Sequence, residues 1–148
     1  MLRKVFFLIC LFLFCFTLCG CGVLSKWRSY YYTGEFQIEE AYVCSDVTEE
    51  LTPINISNRF EYGIEKVCLF FKYRYSDGGT ALLRIRWYYE GVFVFQNSYY
   101  LESGEGKRAF YFFLSSGKPL PKGIYEIRMM FKGKVIKSLL FEITGGGS

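Results

Sequence analysis

From Phe36 to Ile143 this chain alternates apolar and polar residues with a period of two, broken at short intervals by glycine, proline and acidic turn residues. Successive side chains of a strand point to opposite faces, so such a stretch can bury one face as a strand and cannot do so as a helix. No segment repeats its apolar residues every 3.6 positions. Aromatic and β-branched residues fill the alternation, the types that suit a pleated, half-buried surface. Seven strands are predicted: Phe36–Cys44, Lys66–Tyr75, Ala81–Tyr89, Val92–Asn97, Arg108–Leu114, Ile124–Phe131 and Val135–Ile143. Between them, Ser76-Asp77-Gly78-Gly79 reads as a turn, Glu90-Gly91 as a hairpin and Lys132-Gly133-Lys134 as a tight reversal. Segments 103–107 and 115–122 read as longer loops. Seven short strands so punctuated predict an all-β fold, a sandwich of two antiparallel sheets.

The alternation also drafts the interior. Leu83, Ile85, Trp87 and Tyr89 share one face, and Val67, Leu69, Phe71, Tyr73 and Tyr75 share another. The last hairpin contributes Tyr125, Ile127, Met129 and Phe131, then Val135, Lys137, Leu139, Phe141 and Ile143. In the first strand the more apolar face is Phe36, Ile38, Tyr42 and Cys44.

A different pattern precedes the strands. Arg3 and Lys4 are followed by fourteen residues, Val5 to Leu18, of which only Thr17 is polar, and then by Cys19-Gly20-Cys21. That order describes a secretory leader. Leu18-Cys19-Gly20-Cys21 resembles the lipobox of bacterial lipoproteins, although Cys19 stands where that family usually has Ala, Ser, Thr or Val. The resemblance implies diacylglycerol on the Cys21 sulfur and cleavage that leaves Cys21 as an acylated N-terminus. An uncleaved membrane helix would need about 20 apolar residues, and an ordinary signal peptide would be cut without lipidation. All three readings place the remainder outside the inner membrane. The expected organisation is a signal peptide at 1–20, a lipidated tether at 21–34, the sandwich at 35–144 and a flexible tail at 145–148. The expected location is the cell envelope, at the outer membrane facing the periplasm where two membranes exist.

The leader removes two of the 18 basic residues and none of the 14 acidic ones, so the rest is nearly neutral and carries no nucleic-acid signature. Of six cysteines, only Cys44 and Cys68 remain beyond the leader and anchor. Their compartment permits a disulfide. Alternation sets Cys68 on the face opposite Val67 and Leu69, which argues against the bridge, whereas a bulge could still join the pair. A disulfide and two separately packed thiols both stay open.

Leu120-Pro-Lys-Gly-Ile-Tyr125-Glu-Ile127 resembles the tyrosine corner of immunoglobulin-like and fibronectin type III sandwiches. Trp87 looks like the core tryptophan of the same folds. The resemblance implies that the Tyr125 hydroxyl bonds back to the backbone. It carries no reaction with it, because modules of this kind bind, space and scaffold.

Histidine is absent, which removes the commonest general base and metal ligand. Glu39/Glu40 and Glu49/Glu50 are adjacent carboxylates that a strand would turn to opposite faces, so neither pair converges for acid–base work. No catalytic residue, cofactor or metal site is expected, and the chain is not expected to be an enzyme. Aromatics make up 21% of the residues, more than one core face needs. Phe70, Tyr111 and Phe113 fall on outward faces and form the candidate surface for an envelope protein partner. A glycan or cell-wall ligand stacking on Tyr88, Tyr99 and Tyr100 is the alternative.

Overall fold

The computed structural model describes residues 35–145. The expected signal peptide, Cys21, the expected tether and the last three residues of the expected tail lie outside the described residues. Among the described residues every regular element is a strand: β1 (Phe36–Val47), β2 (Pro53–Ile56), β3 (Arg59–Glu61), β4 (Lys66–Tyr89), β5 (Val92–Phe113), β6 (Gly123–Phe131) and β7 (Lys134–Thr144).

The count of seven agrees with the alternation, but the strands are divided differently. The predicted strands at 66–75 and 81–89 are one 24-residue strand, and those at 92–97 and 108–114 are one of 22 residues. Ser76-Asp77-Gly78-Gly79 is therefore no reversal. These four residues face only Ser103, between the register pairs Tyr75↔Gly104 and Thr80↔Glu102. Ser103 spans the step by donating its hydroxyl to the Tyr75 carbonyl at 3.2 Å. Extra residues in one strand of a pair bend it and strengthen its twist, so the flexible glycines let the β4–β5 ribbon step from one sheet into the other.

Each half of the ribbon anchors a sheet. Residues 66–75 pair with β1 on one side and with 104–113 of β5 on the other, and β2 extends β1. Residues 80–89 pair with β6 and with 92–102 of β5, and β7 then β3 continue that sheet. All pairings are antiparallel except one: β3 lies parallel to β7, with Phe60 opposite Ile143. This departs from the purely antiparallel expectation. β2 and β3 themselves are too short to show a periodic signal.

Aromatic rings bridge the two inner faces. Trp87 stacks on Phe112 with centroids 4.8 Å apart, and Phe36 meets Phe131 at 5.2 Å. Around them Leu69, Phe71, Leu83, Ile85, Ile127, Met129 and Phe141 are buried, each contributing roughly 1.5–3 kcal/mol.

Two bulges correct the drafted faces. In β1 the register shifts between Ile38 and Glu40, so Ala41 and Val43 join Phe36 in the main core, while Tyr42 and Cys44 turn outward. In the last hairpin the register shifts between Met129 and Met130, which exposes Val135 and packs Ile136 against the core instead. A bulge adds one residue, and one residue is enough to exchange the faces of a strand.

The tyrosine corner forms as the resemblance implies. The buried Tyr125 donates its hydroxyl to the Pro121 carbonyl at 2.8 Å, and its ring stacks on Phe141 at 4.8 Å. Burial pushes the phenol's pKa upward, so it stays a donor throughout the accessible pH range. Tyr125→Phe keeps the ring and removes the bond. Because water can reach the exposed Pro121, the expected loss is about 1 kcal/mol of unfolding free energy, read from urea denaturation.

Candidate functional site

The outer face of the first sheet is built in rows, because directly paired residues of neighbouring strands point the same way. One row runs Ile56, Cys44, Cys68, Tyr111, across β2, β1, β4 and β5. On one side Ile54 pairs with Asp46 and Lys66 with Phe113, the two pairs being joined by the Lys66–Asp46 hydrogen bond, and the row on the other side is Tyr42, Phe70, Ala109. Ile54, Ile56, Tyr42, Tyr111 and Phe113 are all exposed, Phe113 at 63%. Beyond them the face becomes charged and internally paired, with Lys72 on Glu40 at 2.9 Å and Arg74 on Glu39 at 2.6 Å. Each of those two glutamates therefore answers its own cation.

Phe70 does not belong to the exposed surface. It points outward, as alternation requires, yet is only 1% exposed. Tyr42 stacks on it with centroids 6.4 Å apart, and with Cys44 and Cys68 it forms a second small core against which Val47, Leu51 and Ala109 pack. Leu51 follows β1 in a turn and adopts a φ of 56°. The cover comes from Tyr42 and Val47 of β1, Ala109 of β5 and Leu51 of the turn after β1, so counting faces along β4 could not reveal it. Phe70 is the floor of the patch; Tyr111 and Phe113 are its surface.

A polar centre interrupts the patch. Tyr111 donates its hydroxyl to Asp46 Oδ1 at 2.5 Å, and Lys66 Nζ donates to Oδ2 at 2.9 Å. The Lys66 ammonium also sits 4.6 Å from the centroid of the Tyr111 ring. The Tyr111 hydroxyl, the Lys66 ammonium and the Val47 N–H hold the Asp46 carboxyl down at about 2. The same bond to Asp46, with partial burial, pushes the Tyr111 phenol up to about 12. Asp46 and Lys66 are 20 positions apart and no motif joins them. Their signal in the sequence is parity: each lies two residues from a cysteine of the pair. Beside this centre opens a groove of about 550 Å³ lined by Asp46, Glu65, Lys66, Ile64, Phe113 and Leu114.

Cys44 and Cys68 are buried thiols directly opposite each other on β1 and β4. The bulge in β1 brings them together, against the expectation from unbroken alternation. The neighbouring Cys44 sulfur and burial push the Cys68 thiol upward.

The tyrosines of the glycan alternative are not brought together. Tyr99 stacks on Phe110 at 3.7 Å on the inner side of the ribbon. Tyr88 lies under Arg128, whose guanidinium carbon is 4.3 Å from the ring centroid. Tyr100 pairs with Leu82, and the rows of Arg84 and Arg86 separate it from Tyr88. Among the described residues no group of three or more His, Cys, Asp and Glu side chains could hold a metal ion.

Asp46→Asn tests the polar centre. The Tyr111 pKa is expected to fall from about 12 towards the ordinary 10, followed by NMR of labelled tyrosine. The folded Asp46 carboxyl titrates near 2, below its ordinary 3.8. Its contribution to stability is thus present above about pH 4 and lost as pH falls towards 2. In the variant that part of the acid dependence should disappear, with the difference shrinking at high salt because the pair is exposed.

No known protein family matches this sequence, and no curated protein matches it. Solved structures share its shape. An immunoglobulin-like protein from Pseudomonas aeruginosa superposes with a TM-score of 0.53 at 10% identity, over 74% of this chain and 97% of that one. The CARDB domain of a Pyrococcus furiosus protein gives 0.42 at 11% identity, over 76% and 93%. A β-glucosidase from Listeria innocua gives 0.46 at 9% identity over 76% of this chain, which spans only 16% of the glucosidase. The fold of residues 35–145 is an immunoglobulin-like β-sandwich.

Proposed function

We propose that this chain is a membrane-anchored envelope lipoprotein whose immunoglobulin-like domain is non-catalytic and docks a protein partner, as an accessory or scaffold of an envelope complex. The observation that carries the docking is the outer face of the first sheet. There Tyr42, Ile54, Ile56, Tyr111 and Phe113 expose apolar surface around the Asp46–Lys66–Tyr111 centre. Large aromatics beside a few fixed polar groups form the usual centre of a protein interface, and contiguous exposed apolar surface marks such sites. The anchor rests on Leu18-Cys19-Gly20-Cys21 and the leader before it.

Photo-crosslinking in the native envelope tests the docking face. A photoreactive residue at position 113 should give one dominant protein adduct. The same residue at position 140 should not, although Leu140 is equally exposed at 63%. Equal adducts from both positions would remove the face from consideration. Tyr111→Ser together with Phe113→Ser should weaken partner retention at least tenfold, or about 1.4 kcal/mol. For the anchor, Cys21→Ala should abolish acyl labelling and lipoprotein-type processing; unchanged labelling would refute the assignment.

A further inference from the structure

We propose that Cys44 and Cys68 close into a disulfide that staples β1 to β4 beneath the docking face. They are direct partners in an antiparallel ladder. Opposed residues in such a ladder have Cα atoms about 4.5 or 5.5 Å apart, within the window of about 4.4–6.8 Å that a disulfide spans. Their side chains lie on one face and in one small core, and Cys44 Sγ lies 3.6 Å from the Cys68 carbonyl oxygen. Both residues are fully buried. Tyr111 continues their row and Phe70 lies beside it. A bridge here would therefore lock the floor on which the exposed aromatics stand.

The reaction needs a disulfide donor of the glutathione or dithiol-oxidoreductase class, so its occurrence in the cell rests on the reading that the chain is exported. One cysteine thiolate attacks a donor sulfur and releases one donor thiolate. The second cysteine thiolate then attacks the sulfur of the mixed disulfide and releases the other. The two cysteine sulfurs are oxidised by two electrons, the donor disulfide is reduced to two thiols, and the two cysteine protons end on those thiols. Because neither sulfur is exposed in the folded domain, the exchange belongs to folding, before Val47 and Leu51 pack over the pair.

The test is peptide mapping without reductant on the full chain, in two arms. In the first, cells are quenched with acid and free thiols alkylated. In the second, the purified chain is unfolded, reduced and refolded with oxidised and reduced glutathione. The expected result in both arms is a single cross-linked peptide containing Cys44 and Cys68, lighter by two hydrogens than the reduced pair. It should be absent in Cys68→Ser, where glutathione stays on Cys44. Closure in the glutathione arm alone would uphold the pair and overturn the export reading. Alkylated thiols or persistent glutathione adducts on the wild-type chain in both arms would overturn the staple. Both wild-type arms stand whether or not the serine variant folds. Reduction by dithiothreitol should be at least tenfold slower in the folded chain than in denaturant, and equal rates would contradict a buried bridge.

Discussion

The β4–β5 ribbon belongs to both sheets at once, and the sandwich depends on its register. Its 24 and 22 residues pair with each other along almost their whole length. One half carries β1 and β2, and the other carries β6, β7 and β3. Both halves must present their apolar faces to one core, although the ribbon bends between sheets. The step at 76–79 achieves this. Inward residues of β4 stay on odd positions across it, from Tyr75 to Ala81, while β5 changes parity at Ser103, with Leu101 inward before it and Phe112 inward after it. A slip of one residue would turn Trp87 and Phe71 towards water together, and the ring contacts that join the sheets would be lost.

Bulges do the same work on a smaller scale in β1 and at the last hairpin. The shift at Ile38/Glu40 moves Ala41 and Val43 inward and releases Tyr42 and Cys44 outward. Without it Cys44 would face the main core, and neither the thiol pair nor the cover on Phe70 could form. The composition of the outer face of the first sheet is thus a consequence of one inserted residue. The same shift leaves Glu39 free to reach Arg74, which turns the far end of that face into a charged, self-satisfied margin beside the apolar patch.

Much of this was legible in the residues themselves. The strand material, the inward set Leu83, Ile85 and Trp87, and the corner at Tyr125 follow from alternation and from a contact only four residues long. Tyr111 and Phe113 were legible because aromatics occupy both faces of that segment, and one face must be wet. Phe70 was misread for a physical reason: its cover comes from Leu51, Val47 and Tyr42, which belong to other elements. Asp46 and Lys66 carry only the parity they share with Cys44 and Cys68, since a charged pair 20 residues apart becomes a pair only when β1 and β4 are in register.

By itself, the sequence determined an all-β chain, its core alternation and the local geometry of its tyrosine corner. These depend on contacts between residues near in the chain, whose side-chain directions are set by backbone period alone. The pattern from Arg3 to Cys21, on which the proposed anchor rests, is likewise linear and is read without the fold. Only the tertiary structure decided that two pairs of predicted strands are single strands, which outward aromatics are exposed, and that Cys44 stands opposite Cys68. Each of these is settled by register between distant segments, and a bulge of one residue changes register without changing the pattern that precedes it.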